Sequence, residues 1–205
     1  RRAFTPRYAP RDVMIGAAML WVGWFGFNGG SQRAADGGAA MALTVTHISA
    51  AAASLSWALW EKIKFGKASL VGIVTGTIAG LASITPASGF VDPVTALCIG
   101  GVAGILCQEA VVLVRNTLKI DDTLDVFAVH GVGGIFGTIV IALVGQGTWV
   151  AQLGSLAIVG VFTTVVTIAL VYIVKAITPL RVDEETEQTG LDLAVHGERA
   201  YDTTS

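Results

Sequence analysis

A histidine inside a long uncharged stretch is the first residue in this sequence that could do chemistry. His130 stands in Asp121-Asp122-Thr123-Leu124-Asp125-Val126-Phe127-Ala128-Val129-His130-Gly131-Val132-Gly133-Gly134, and no Lys, Arg, Asp or Glu occurs from Val126 to Val174. Where the surroundings are lipid, a polar side chain at such a position is costly and is functional by default. Burial favours the uncharged imidazole, with one donor and one acceptor nitrogen, which suits it to receive or pass on a proton. A histidine that merely bonds a neighbouring helix fits the spacing equally well, and both readings stay open at this point.

Trp21-Val22-Gly23-Trp24-Phe25-Gly26-Phe27-Asn28-Gly29-Gly30-Ser31 is the second candidate. Aromatic faces attract cations, and a desolvated cation over one gains roughly 2 kcal/mol. An aromatic belt at the headgroup level would need the same residues without any ligand. In Thr85-Pro86-Ala87-Ser88-Gly89 the proline removes a backbone donor and biases its predecessor out of helix, which frees Thr85 and nearby carbonyls. A plain helix stop explains this tract, although broken backbone beside a cavity is common in transporters. His47, next to Ala50-Ala51-Ala52-Ala53, reads as a packing histidine. Glu109 reads as an acid that reaches toward the headgroups. Neither is given a role in the chemistry.

No nucleophile and base pair and no metal-ligand spacing is found, so the sequence predicts neither an enzyme nor a cofactor or metal site. Cys98 and Cys107 are nine residues apart, on opposite faces of one predicted helix, which disfavours a disulfide or a metal pair. A net charge of −2 and the lack of basic clusters interleaved with aromatics exclude nucleic acid as the expected partner.

The elements that must position these residues are membrane helices. The chain is 53% hydrophobic and 14% charged. Charged residues are absent from Val13 to Gln32, Gly37 to Trp60 and Ala68 to Val91, as well as from Val126 to Val174. Roughly 20 such residues match the hydrocarbon thickness. The last stretch is too long for one crossing, and Gly145-Gln146-Gly147 divides it. Pro93 to Val114, with Glu109 as its only charge, supplies another span. The prediction is all-α: a polytopic bundle of about six transmembrane helices at roughly 12–33, 37–61, 68–84, 94–115, 123–144 and 149–177. A transmembrane domain over residues 1–178 and a solvated, partly disordered tail over 179–205 follow.

Basic residues agree with that count. Arg1, Arg2, Arg7, Arg11, Lys62, Lys64, Lys67, Arg115, Lys119, Lys175, Arg181 and Arg199 fall on one side of a six-span bundle, and only Arg33 on the other. The positive-inside rule then puts both ends of this segment in the cytoplasm of a multi-pass cell-membrane protein. Gly72, Gly76 and Gly80, then Gly100 and Gly104, then Gly133 and Gly137 recur every four residues, a spacing that lets helix backbones approach closely in lipid. The sequence starts at Arg1 without Met or signal peptide and is expected to be a fragment, a processed product or an internally numbered chain.

Taken in order, three segments resemble the ammonium transporters of the Amt/Mep/Rh family. Trp24 to Ser31 is similar to the family's sixth-helix signature, Asp121 to Gly134 to its tenth-helix signature, and Glu184 to Tyr201, with Gly190-Leu191-Asp192 and His196-Gly197-Glu198, to its cytoplasmic tail. The resemblance implies the second inverted-repeat half of that fold plus its last long helix. It implies that His130 matches the second of two stacked pore histidines, Phe27 one of two gating phenyl rings, and Ser31 the hydroxyl of the outer recruitment site. Trp24, Val126 and Thr85 match pore-lining positions. The first histidine, the other phenylalanine, the recruitment tryptophan and a structural aspartate belong to family helices outside these 205 residues, so the pore of this polypeptide alone is expected to be incomplete. Val45 stands where the family often has Asn.

The implied function is transport of ammonium or ammonia through a hydrophobic pore. The ion is recruited at the outer mouth, and deprotonation or proton relay involves His130. A homotrimer in the lipid bilayer and a PII-type regulatory protein at the tail are implied partners. The alternative is a membrane ammonium sensor signalling through its tail, weakened by the absence of any recognised signalling domain within these residues.

Overall fold

The computed structural model describes residues 9–199. Arg1, Arg2 and Arg7 of the basic count and Tyr201 of the tail motif lie outside them. The described residues are helical throughout their ordered elements: α1 (Pro10–Gly30), α2 (Gly37–Phe65), α3 (Leu70–Ile84), α4 (Pro93–Val112), α5 (Val132–Leu143), α6 (Trp149–Ile177), α7 (Glu184–Thr189) and α8 (Leu191–His196). A 3-10 turn, Thr85–Ala87, extends α3, and π-turns at Leu113–Thr117 and Phe127–Gly131 extend α4 and precede α5. Five helices are long and apolar enough to cross a membrane, and Phe127–Leu143 is a shorter apolar sixth. The chain divides into two compact units, Arg1–Leu156 and Ala157–Ser205.

Local chemistry sets the helix ends. Asp36 caps α2 by accepting from the N–H groups of Gly38 and Ala39, Ser69 caps α3 through Gly72, and Asp92 caps α4 through Thr95. Gly66, at φ 79°, closes α2 in the left-handed conformation that a side chain resists. The predicted turn at Gly145 also has positive φ, 73°. Asp36 is exposed in the loop before α2, where the Ala39 N–H and then the Gln32 amide hold its carboxyl below its ordinary value of 3.8.

Seams of small residues run through the core of the first unit, between clusters that include Val45, Ile84 and Ile99. A Cβ added to Gly76 would meet Trp57 and the Ala53 carbonyl, and one added to Gly80 or Gly100 would meet the Ser49 carbonyl. Helix α2 therefore lies close against both α3 and α4, and Ser49 donates to the Gly80 carbonyl at 2.9 Å across the first contact. Gly133 and Gly137 bring α5 against Ser83 of α3 in the same way.

The structure revises three boundaries and one tail. Helix α2 runs to Phe65, past the predicted stop at 61, because Trp60 and Lys64 both bond Glu109 and hold its last turn down. The fifth span starts at Val126, not 123, because Asp122 and the turn after it form its cap. The fourth ends in a π-turn. The tail, expected to be partly disordered, forms α7 and α8 over residues 184–196; Asp183 caps the first through Thr186, and Gly197 ends the second.

Candidate functional site

Trp24 joins the predicted site residues on one open face of the first unit. Its indole Nε1–H donates to Thr85 Oγ1 at 2.7 Å. Its ring stacks with the His130 imidazole at 6.2 Å between centroids and 21° between planes, and meets the Phe27 ring edge-on at 5.8 Å. Three helices thus contribute to one row: α1 supplies Phe27 and Trp24, the end of α3 supplies Thr85, and the π-turn before α5 supplies His130.

Helical spacing explains the row on α1. Phe27 and Trp24 are three residues apart, and Ser31 is four beyond Phe27, so all three fall along one side. The Ser31 hydroxyl donates to the Phe27 carbonyl at 2.8 Å, which commits its proton and leaves its oxygen lone pairs for a donor. Thr85 is engaged twice, accepting from Trp24 and donating to the Leu81 carbonyl at 2.7 Å. The proline turn was read as freeing Thr85; instead its hydroxyl locks the indole in place.

The uncharged run around His130 predicts a water-poor conduit between helices, and in this chain the residue lies on an exposed surface, as do Phe27 and Val126. The reason is directional. Gly133 and Gly137 turn one face of the helix toward α3, Ala128 and Val129 are buried, and His130 falls on the uncovered side. It lies only one turn into its helix, because that helix begins later than predicted. Val126 is one turn before it, with its N–H held by Asp122 Oδ1 at 2.9 Å.

Two residues left without a role have defined places. His47, read as a packing histidine, is exposed on α2, its ring 5.2 Å from that of Trp21 and 5.9 Å from that of Phe25. Glu109 accepts from Trp60 at 2.5 Å and from Lys64 at 2.7 and 2.9 Å.

Sequence reasoning missed Asn28. It is buried and donates through Nδ2 to Thr46 Oγ1 at 2.9 Å, with Thr46 also buried, and so pins the C-terminal half of α1 to α2. A polar amide amid the aromatics was the available signal, since a buried amide must find partners. No group of three or more His, Cys, Asp or Glu able to hold a metal occurs among the described residues.

Comparison with known proteins gives a consistent result. The profile of the Ammonium Transporter Family matches residues 4–201. The chain is 44% identical to "Ammonium transporter Amt1" of Archaeoglobus fulgidus, over 92% of this chain and 51% of that protein. It is 41% identical to a "Putative ammonium transporter" of Methanothermobacter thermautotrophicus, over 93% of this chain and 51% of that protein. Among solved structures it is similar to Candida albicans Mep2, with a TM-score of 0.78 at 33% identity over 86% of this chain and 44% of that one. It is also similar to a "Sensor Amt Protein", with a TM-score of 0.78 at 34% identity over 88% of this chain and 48% of that one. The chain spans about half the length of the curated relatives it matches.

Proposed function

The chain belongs to the ammonium transporter family, and from that premise we propose that its open face is one wall of a path by which ammonium nitrogen crosses the cell membrane. The observation that carries this reading is the continuous row Phe27, Trp24, His130, joined through one indole and fixed by Thr85.

The chemistry of the row suits that cargo. Ammonium resembles a lysine head group, with an unperturbed pKa of about 10.4, so it arrives mostly protonated at neutral pH. Drawing the bare ion into a dry path carries a penalty of several kcal/mol. Ammonium only donates hydrogen bonds, and Ser31 offers it an oxygen whose own proton is already used on the Phe27 carbonyl. The aromatic faces of Phe27 and Trp24 add attraction of roughly 2 kcal/mol once water is excluded. Beyond them a neutral His130 can take or relay the proton, while ammonia crosses along Val126. Phe27 acts as a gating ring, and Thr85 holds Trp24.

Residues 1–178 form the transmembrane part and 179–205 the cytoplasmic tail, with both ends of this segment in the cytoplasm, as the basic side of the bundle supports. The protein assembles as a homotrimer in the bilayer, and its tail is the surface for a PII-type regulator. Replacing His130 by Ala in the protein as its gene encodes it, reconstituted in proteoliposomes, tests the path. Ammonium-dependent current should change in size or selectivity, and an undiminished current of unchanged selectivity removes His130 from the mechanism.

A second reading, an ammonium sensor signalling through the tail, is favoured by the likeness to a solved protein described as a sensor. Uptake of labelled methylammonium by the same proteoliposomes separates the two. A rate no greater than that of protein-free vesicles supports the sensor and sinks transport.

A further inference from the structure

The loop between α4 and the His130 helix is folded around one guanidinium. Arg115, in the π-turn Leu113–Thr117, pairs with Asp125 at 2.6 Å. It also donates to the carbonyls of Asp122 at 3.2 Å and Thr123 at 2.7 Å. Asp125 is buried and has a φ of 57°, a left-handed conformation that Asp and Asn tolerate better than other side chains. Asp122 in turn accepts from the N–H groups of Val126, Phe127 and Ala128 at 2.9, 3.0 and 3.4 Å. Two carboxylates and one arginine therefore fix where this helix starts.

The other end of the same segment is fixed by packing. A Cβ on Gly133 or Gly137 would run into Ser83, so the azimuth of α5 against α3 is set. Between the two anchors lies the π-turn Phe127–Gly131, which holds one residue more than a regular α-turn. One residue corresponds to about 100° of helix rotation. If the first anchor were released, relaxation to regular α geometry would swing the first turn by about that angle and carry His130 off the Trp24 ring. A buried ion pair adds little stability over an apolar pair of the same shape, and fixing geometry is a better-supported use for it.

We propose that Asp125, held by Arg115, is a positioning residue for His130: the pair sets the register of the π-turn and so keeps the imidazole stacked on Trp24. This rests on the reading of His130 as a pore group.

The test uses the protein as its gene encodes it, purified, reconstituted and assayed with labelled methylammonium. Turnover is counted per folded molecule, with the folded amount taken from gel filtration. Asp125→Asn keeps the left-handed backbone and removes the charge. It should lower turnover about ten-fold or more and leave KM within about two-fold, because Ser31 and Phe27 lie on another helix. Arg115→Gln should give the same split, and Arg115→Lys should recover part of the turnover. A folded Asp125→Asn protein with turnover near that of the parent, or with KM rising in step with the fall in turnover, overturns the proposal. If Asp125→Asn does not fold, Arg115→Gln carries the same criterion. If neither folds, the pair is a folding element and the proposal is overturned. His130→Ala in the same assay keeps the two readings apart. Loss of turnover there with a normal Asp125→Asn protein refutes only the positioning role, whereas normal turnover there refutes the pore reading on which it stands.

Discussion

Helices α3 and α6 are both uncharged through their cores, yet they meet opposite surroundings. Ten of the fifteen residues of α3 are buried, and they are mostly small or hydroxylated: Gly72, Gly76, Thr77, Ala79, Gly80, Ala82 and Ser83 among them. Helix α6 buries none, and it carries Val150, Ile158, Val161, Phe162, Val165 and Ile173 outward. The helix with the larger apolar side chains is the more exposed one. In water the order would be reversed. In lipid, apolar bulk gains nothing by leaving the solvent, and what holds helices together is close backbone approach and hydrogen bonds such as Ser49 to the Gly80 carbonyl. The open face around Trp24 and His130 follows neither pattern, since it leaves aromatic rings and an imidazole uncovered.

The sharpest way to break this contrast is to place a charge on α6. Phe162→Lys, near the middle of that helix and exposed, should cost about 3 kcal/mol of insertion free energy if the helix faces hydrocarbon. Glycosylation-tagged insertion assays read this directly, and unimpaired insertion would mean that α6 does not face lipid. Gly80→Ala should cost about 1–3 kcal/mol by overpacking against the Ser49 carbonyl. Gly160→Ala on α6, where nothing lies within 4 Å, should be neutral or gain up to about 1 kcal/mol. Unfolding of the purified protein in detergent compares the two, and equal effects would erase the difference between the helices.

A smaller effect is expected at the open face. Trp24→Phe keeps a ring against His130 and removes the Nε1 hydrogen bond to Thr85, which should lower stability by about 1 kcal/mol. Turnover should fall while the protein still assembles; unchanged transport would show that the bond is packing alone. The smallest effect is expected at the exposed Asp36 cap. Its carboxyl is held below 3.8 by the Ala39 N–H, so the cap's contribution is complete above that value and fades as pH falls through the lower folded value. Protection of the Gly38 and Ala39 amides, taken relative to their intrinsic exchange rates, should fall as pH drops below 3.8 and stay constant in Asp36→Asn; protection in the parent that acid leaves unchanged would show that the carboxylate does not cap there.

Much of the architecture was legible because single residues carried it. Uncharged runs gave the spans, Gly145-Gln146-Gly147 gave the break before α6, and the four-residue glycine spacing gave the seams. The start of the His130 helix was not legible. A run of acids before an apolar stretch shows that a cap exists, but which carboxylate reaches which N–H depends on how Arg115 folds the loop back. Thr85 was misread for the same reason: its hydroxyl partner, Trp24, is 61 residues away.

The sequence by itself determined that the chain crosses a bilayer and which residues are dear enough to matter, because the energy of a charge or an imidazole in hydrocarbon depends on residue type and run length alone. Only the tertiary structure decided that Phe27, Trp24, Thr85 and His130 form one row and that the row lies on an uncovered face. Those are facts about azimuth, and azimuth is set where helices from distant parts of the chain press together through glycine, a π-turn and an ion pair with a buried carboxylate.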